Sequence, residues 1–544
     1  MPAPCHRRIA RPLATVATVV ALTATLGGCT SSASTQPGPS TRATGDRGGT
    51  LQVLAATDAI RHLDPQRMRT PAEADLGRLL YRGLTAFPAT ASDRHAVPDL
   101  AAAPGRPSDD AKTWTFALRR GMRFQDGSAI TSADVRRGVE RAFTPAFGAP
   151  PAYLTDVLDC GKGYAGPTTG DCPAIDTPDP DTVVFHLRLP VGDFPDVVAL
   201  PAFLPVPEGD DLDTHPVSSG PYQVADYQPG QRLVLERNQQ WDAASDPIRA
   251  ALPDRVEVAL GQDLDSVVRR LTGPAGNGDG DGATAVPLGI ALPVADAGAT
   301  ADDKARLDRG FEDGVDALAL NTTVPPLDNV AVRTALVYAV SRAGYREARG
   351  GRAAGEPATT LLSPALAAYR SFDLWHAPAD GDVAKATAAL SRAGYPDGFT
   401  VTLDDSGDAA GGRAVMAALE RAGVTVQLAK PGQQPVGMTL VHLVPDRPAA
   451  ADVLRPLLCT CGDHNVSHYA SDDVDHRIEA AEKLTVPAAA EQAWAEVDMR
   501  ALQDVPVIPL LHRQVTRVHG AKVGNARLSP AYGEEYDLAA LSVS

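Results

Sequence analysis

The sequence predicts a mixed α/β fold with more than one domain, on three observations. Its 544 residues exceed what one hydrophobic core usually serves. Stretches in which apolar residues alternate, such as Trp114, Phe116 and Leu118, recur between stretches with helical spacing, such as Val332, Ala335, Leu336, Ala339 and Val340. No internal repeat is present, so the elements belong to separate packed units and not to a stack of copies.

The N-terminus carries Arg7, Arg8 and Arg11, then a mostly apolar or small run from Leu13 to Leu26, then Gly27, Gly28 and Cys29. This is the pattern of a secretory signal peptide, residues 1–28, ending in a lipobox. The run is too short to cross ~30 Å of hydrocarbon as a permanent helix. Processing of this kind cleaves before Cys29 and acylates its thiol, so Cys29 is the expected lipidation site. Residues 29–48 are small, polar and Pro-containing, the composition of a flexible tether.

The folded part opens at Gly49 with a strand through Leu54. Thr113 to Leu118 is a second strand with one buried face, followed by turns at Arg119–Gly121 and Asp126-Gly127. Thr131 and Asp134 stand three apart ahead of an apolar-periodic run, a capping box for a helix from Ser132 to Phe143 that Pro145 closes. Between Asp181 and Leu189, Val183, Phe185, Leu187 and Leu189 alternate with Val184, His186 and Arg188, which places His186 on the solvated face. Gly220-Pro221 forces a turn before a strand carrying Leu233 and Leu235. The helical stripe from Val332 is capped by Asp328 or Asn329, and another helix begins at Asp382 and stops at Gly394. Strands follow through Thr400–Leu403 and Met438–Leu443. A helical stripe at Ala490, Trp494, Val497 and Ala501 precedes an extended segment from Val505 to Leu510.

A net charge of -17, from 50 Lys and Arg against 67 Asp and Glu, argues against nucleic acid, whose phosphates require a basic footprint. There is no G-x-S-x-G elbow, H-E-x-x-H helix or Walker A loop, so no enzymatic activity and no cofactor are expected. Asn277, Asp279 and Asp281 look like the start of a calcium loop, but the twelfth position is Leu288 where a bidentate Glu is needed. A flexible insertion is the better reading. Cys459, Cys461, His464 and His468 have soft-metal spacing. In an exported chain the thiols oxidise instead, so no metal is expected. Cys160 and Cys172 bracket a Gly-, Pro- and Thr-containing loop and form the expected disulfide. Cys459 and Cys461 are favoured as a local pair, although the short ring they close leaves that pairing open.

The block TWTFALRRGMRFQDGSAITSADVRRGVERAF, Thr113 to Phe143, resembles the signature of the family 5 extracellular solute-binding proteins, the oligopeptide- and dipeptide-binding components of ABC importers. The resemblance continues in Leu79-Leu80-Tyr81-Arg82-Gly83-Leu84, Pro98-Asp99-Leu100-Ala101, Ser219-Gly220-Pro221-Tyr222 with Asn238 and Trp241, and Leu320-Asn321 with Leu327-Asp328-Asn329-Val330. It covers nearly all of Gly48 to Leu511. It implies a two-lobed periplasmic-binding-protein-like fold in which the chain starts in one lobe, crosses to the other and returns. The expected division is 49–314 plus 511–544 for the first lobe, with an extra subdomain at about 70–200, and 315–510 for the second. The crossings are expected near Val315–Asn321 and Leu502–Leu511.

The resemblance further implies a lipid-anchored, extracytoplasmic monomer on the cell membrane that captures a peptide-like ligand and passes it to an ABC permease. A non-peptide cargo, such as a nickel chelate, haem, sugar or siderophore-like compound, is the rival within the class; a peptide-signal receptor without transport is the rival outside it. Peptide-binding relatives carry a Trp and an Asp-Tyr-Pro-Asp-Pro-like stretch after a strand, with a carboxylate for the ligand's ammonium. Here the corresponding residues are Val441 to Pro448 without the Trp, which makes Asp446, with Arg447, the candidate ligand contact. Asn321 on a crossing strand, and Thr57 and Asp58 after the first strand, are further candidates.

Overall fold

The computed structural model describes residues 43–88, 94–209, 211–277, 280–291, 301–430 and 432–544. The signal peptide, Cys29, most of the tether and Asp279 lie outside the described residues. Among the described residues no helix is long and apolar enough to cross a membrane.

The first lobe is built on a five-stranded sheet ordered Ala285–Leu288, Thr50–Ala56, Arg255–Gln262, Arg232–Arg237, Tyr222–Gln228. Thr50–Ala56 pairs in parallel on both sides. Parallel strands in the middle of a sheet are covered on both faces, which is why Leu51, Val53, Leu54 and Ala55 are all buried. The helix Pro71–Leu80 lies on this sheet, started by a reciprocal cap between Thr70 and Glu73.

A four-stranded antiparallel sheet, Arg106–Ser108, Thr113–Ala117, Thr182–His186, Ile175–Asp179, forms a second core in the same lobe. Its centre is aromatic: the Phe185 and Phe194 rings meet edge-to-face at 5.3 Å, with Trp114, Phe116 and Phe203 around them. Core membership passes from the first sheet to this one at Leu84 and back after Phe203, so the helix at Pro71–Leu80 packs with the five-stranded sheet. His186 is exposed and bonds Asp176 at 2.9 Å. The helix Ser132–Arg141 stops two residues short of Phe143, because the amide of Ala142 tightens onto Gly138 and Val139 and a short turn at Pro145–Phe147 follows.

At the start of that helix the Asp134 carboxylate accepts from the Thr131 amide and from its hydroxyl, each at 2.8 Å. Asp134→Ala removes both bonds, and urea unfolding is expected to show a loss of about 1 kcal/mol.

The second lobe has a seven-stranded sheet in which Val507–Val518 and Val315–Leu320 are central. Side chains of Val315–Leu320 point alternately to two cores. Leu318 and Leu320 pack with the helices Val330–Ala339, Val383–Arg392 and Ala409–Arg421; Ala317 and Ala319 pack with Ala450–Leu458, Asp472–Glu482 and Pro487–Gln503. The result is a helix–sheet–helix sandwich, and a central strand wrapped this way is apolar at nearly every position. Asn329 caps the first of these helices through the Ala331 amide, and Asp382 caps the second through Lys385.

Val507–Val518 joins the two halves of the molecule. Its first half pairs with Val315–Leu320 and its second half with Leu307–Phe311. The outgoing and returning chain thus form one antiparallel ribbon. Leu502 is still helical, and Val505, at a φ of 50°, turns the chain into the strand. Beyond Val518 the chain returns to the first lobe, where Tyr536, Leu538 and Leu541 enter the core of the five-stranded sheet.

The markers that carry the family resemblance in the sequence converge on one buried polar network. Arg249, 1% exposed, donates to Asp99 at 2.8 Å, to Asp246 at 3.1 Å, and to the Arg78 and Tyr81 carbonyls. Arg82 takes the other Asp99 oxygen at 2.7 Å, and its amide donates to the Ser219 hydroxyl. The Trp241 indole donates to Asp246, and the Asn238 amide group to the Gly220 carbonyl. Gly220 has no room for a side chain, since a Cβ would stand 2.7 Å from the Leu79 carbonyl oxygen.

Candidate functional site

Where the four-stranded unit of the first lobe faces the second lobe, polar groups meet in several places. The Gly192 amide donates to the Glu482 carbonyl at 2.7 Å. A Cβ at Gly192 would lie 2.0 Å from the Leu484 carbonyl oxygen, so this approach of two backbones requires glycine. Beside it, Arg447 reaches Asp193 with Nη1 at 2.5 Å and grips Asp452 with Nε and Nη2 at 3.0 Å each. Arg447 is 5% exposed, and these acids, together with the nearby Asp196, hold its guanidinium firmly protonated against the cost of burial.

The third meeting is at His95. Its Nδ1 bonds Asp196 of its own lobe at 2.9 Å and its Nε2 bonds Glu491 of the other at 3.2 Å. The bond to Asp196, with Glu491 in support, pushes the imidazole up to about 9. Because the folded value is raised above the ordinary 6.5, the link is complete at neutral pH and is lost as pH rises through about 9. Close by, Arg94 Nη1 donates to the Pro364 carbonyl at 2.8 Å.

At the ribbon between the lobes stands a group of acids. Glu312 and Asp313 connect Leu307–Phe311 to Val315–Leu320, and Glu534 comes from the returning chain. Burial, reinforced by Glu312, Glu534 and Asp452, pushes Asp313 up to about 8. Burial also pushes Glu534 up to about 7, against the pull of Arg94 and Arg517.

The structure distributes the residues proposed from sequence. Asp446 is solvent-exposed beside Arg447 and Tyr153, with its carboxyl raised by partial desolvation. Arg447 is in the interlobe seam just described. Asn321 is 4% exposed; its Nδ2 donates to the Val436 carbonyl at 3.0 Å and its Oδ1 accepts from the Thr323 amide and hydroxyl. Those bonds shape the turn after Val315–Leu320. Thr57 and Asp58 are exposed in the turn after the first strand, Asp58 facing Arg61 at 3.7 Å. Only Asp446 and Arg447 are therefore brought together.

Sequence reasoning missed Asp193, Asp196, His95, Glu491 and Glu534. They sit in loops or on helix surfaces with no periodic signal, and the partners of the first four lie 101 to 396 residues away. Cys160 and Cys172 are disulfide-bonded, as are Cys459 and Cys461. His464 and His468 are exposed, and among the described residues no cluster of His, Cys, Asp or Glu is arranged to hold a metal ion.

Comparison with known proteins agrees with this architecture. Residues 95–452 match the model of the bacterial extracellular solute-binding proteins, family 5. The glutathione-binding protein GsiB of Salmonella choleraesuis is 25% identical over 517 residues, covering 89% of this chain and 93% of that protein. Among solved structures, the clavulanic acid biosynthesis oligopeptide binding protein 2 superimposes with a TM-score of 0.80 at 34% identity, covering 93% of this chain and 96% of the other. DppA from Helicobacter pylori, in complex with the peptide STSA, superimposes at 0.61 with 18% identity over 92% and 98% of the two chains. With the family model spanning well over half of its length, this chain belongs to the family 5 bacterial extracellular solute-binding proteins.

Proposed function

We propose that this protein is a lipid-anchored receptor that captures a peptide-like ligand between its two lobes and delivers it to an ABC permease, without catalysis. The observation that carries the reading is the single antiparallel ribbon joining the lobes, with charged groups of both meeting across the gap beside it. Such a joint lets two rigid sandwiches rock about the ribbon, so a ligand touching both shifts the open–closed equilibrium by its extra contacts in the closed form. The working division is 49–314 plus 511–544 against 315–510, with the crossings in the ribbon. Anchoring rests on the Cys29 lipobox. The relatives support peptides as the cargo class: one is named for oligopeptides, one for glutathione, and one was solved with a peptide. Asp446 keeps the role of ligand contact, since it alone of the sequence candidates near the seam remains open to solvent.

A thermal-shift screen of peptide pools against the purified protein tests this. A peptide at 100 times its dissociation constant is expected to stabilise the protein by about 2.7 kcal/mol. A melting curve moved by a metal chelate, haem or sugar, and by no peptide, overturns the cargo class.

A further inference from the structure

The two disulfides differ in what they can do for the fold. Cys160–Cys172 joins two buried residues, 8% and 0% exposed, and ties a Gly-, Pro- and Thr-containing loop. Cys459–Cys461 has Thr460 alone between its ends. A cross-link across so short a stretch restricts the unfolded chain little, so it adds little as a staple. Nor does the turn depend on it for shape. The Cys459 carbonyl accepts from the Gly462 amide at 2.8 Å and from the Asn465 side chain at 2.9 Å, and the Thr460 amide donates to the Asp475 carboxylate at 2.9 Å. Asn465 also accepts from the Tyr469 amide and the Ser467 hydroxyl, and the Thr322 amide donates to the Ser467 carbonyl at 2.8 Å. None of these bonds involves a sulfur, and together they anchor the loop from Cys459 to Tyr469 on the turn after the crossing strand.

The two sulfurs are also unequal. Cys461 is exposed, whereas Cys459, at the end of the helix Ala450–Leu458, is 7% exposed. A thiolate arriving from outside therefore meets Cys461 first, and the sulfur that must leave is that of Cys459. Cys459 Sγ accepts from the Cys461 amide at 3.2 Å, which favours negative charge on it as the S–S bond breaks. The helix terminus works the other way, so Cys459 keeps the nucleophilicity that a return attack requires. The loop also looks onto the first lobe: burial, and then Asp463, two residues beyond Cys461, raise the carboxyl of Asp156 in the four-stranded unit.

We propose that Cys459–Cys461 is a thiol-exchange site at the edge of the interlobe gap, taking up the thiol of a small compound or of a cysteine-containing peptide as a reversible mixed disulfide on Cys461. The incoming thiolate forms a bond to Cys461 Sγ, the bond between Cys461 and Cys459 breaks, and its electron pair leaves on Cys459 as a thiolate. The proton of the incoming thiol goes to solvent. In the return step the Cys459 thiolate attacks Cys461 Sγ, the original disulfide closes, and the captured thiolate leaves. One disulfide is exchanged for another in each direction, so no oxidant or reductant is consumed. Because hydrogen bonds hold the turn when the disulfide is open, Cys459 stays beside Cys461 and the return attack is intramolecular. The site does not depend on the transported ligand being a peptide.

Exposure of the folded protein to 2-mercaptoethanol or to Ala-Cys-Ala, followed by an iodoacetamide pulse and peptide mapping, tests the proposal. Cys459 is expected to become alkylated, with the thiol attached to Cys461, at least about tenfold faster than either cysteine of the buried Cys160–Cys172 pair reacts. A rate that rises linearly with both thiols supports the site and shows that it serves thiols from solution. Saturation of the rate with Ala-Cys-Ala alone supports it and shows that the protein binds the peptide before its thiol reacts. Opening of Cys459–Cys461 no faster than that of Cys160–Cys172, or attachment of the thiol to Cys459 instead, overturns the proposal. Those two results leave peptide capture standing, since the melting curves test it separately.

Discussion

Replacing Arg249 with methionine is expected to lower the unfolding free energy of the first lobe by about 3–5 kcal/mol. The side chain is 1% exposed and donates at once to Asp99, Asp246 and the carbonyls of Arg78 and Tyr81. Methionine fills much of the same volume but supplies no proton, so one Asp99 oxygen and two carbonyls lose their donor inside the protein, and Asp246 Oδ2 is left with the Trp241 indole alone. Arg82 still holds the other oxygen of Asp99, and Trp241 still bonds Asp246, which keeps the loss below that of two naked charges. Lysine at this position restores the charge but not the planar fork and is expected to recover part of the stability. Because the Trp241 indole bonds Asp246, urea unfolding followed by tryptophan fluorescence reports the change directly. Arg255→Met, at a side chain 45% exposed and paired only with Glu257, serves as the control and is expected to cost less than about 1 kcal/mol. A loss at Arg249 no larger than that of the control would show that the network does not hold the fold.

The same network explains what could be read from sequence and what could not. Arg82, Asp99, Ser219, Gly220, Asn238 and Trp241 stand out in the sequence because they are joined to one another, and the capped helix after Thr131 stands out because capping is local. These are requirements of the scaffold. Strands such as Met438–Leu443 and helices such as Val383–Arg392 were legible for the same reason: their periodicity reflects the core they face. The cleft obeys no such rule. Arg447 and Asp193 are 254 residues apart, and His95 and Glu491 are 396 apart, in segments whose sequence shows only polar loops and helix surfaces. Asn321 was visible as a marker, but its amide turned out to be consumed by the local turn. Glu534 lies beyond the last recognisable marker, in a stretch that carried no expectation. Contacts between segments so far apart leave no pattern in the neighbourhood of either.

Arg447→Met is expected to have the largest effect on closure. Arg447 joins Asp193 of the first lobe to Asp452 of the second, and removing one member of a desolvated charge pair costs about 2–5 kcal/mol, much of it from the charge left behind. That cost falls on the closed form alone, because with the lobes apart Asp193 regains water. The closed population therefore drops by at least about thirtyfold at the lower bound, and the apparent affinity for any ligand that needs closure drops with the closed fraction wherever that fraction is small. Burial has already pushed Asp452 up to about 6, so without the guanidinium it takes up a proton more readily. Asp452 then binds a proton in the closed form that it releases on opening. Closure by the variant should accordingly weaken more steeply as pH rises from 6 to 8 than closure by the wild type, whose Asp452 is held lower by Arg447. Small-angle scattering of the ligand-free protein should show a larger radius of gyration for the variant, and calorimetry with the best peptide a weaker Kd. Asp193→Asn leaves the Arg447–Asp452 pair intact, so its effect on both measurements should be smaller. A variant whose scattering curve and Kd both match the wild type would mean that the Arg447 bridge forms without contributing to closure, and that the Gly192–Glu482 and His95–Glu491 contacts hold the lobes together.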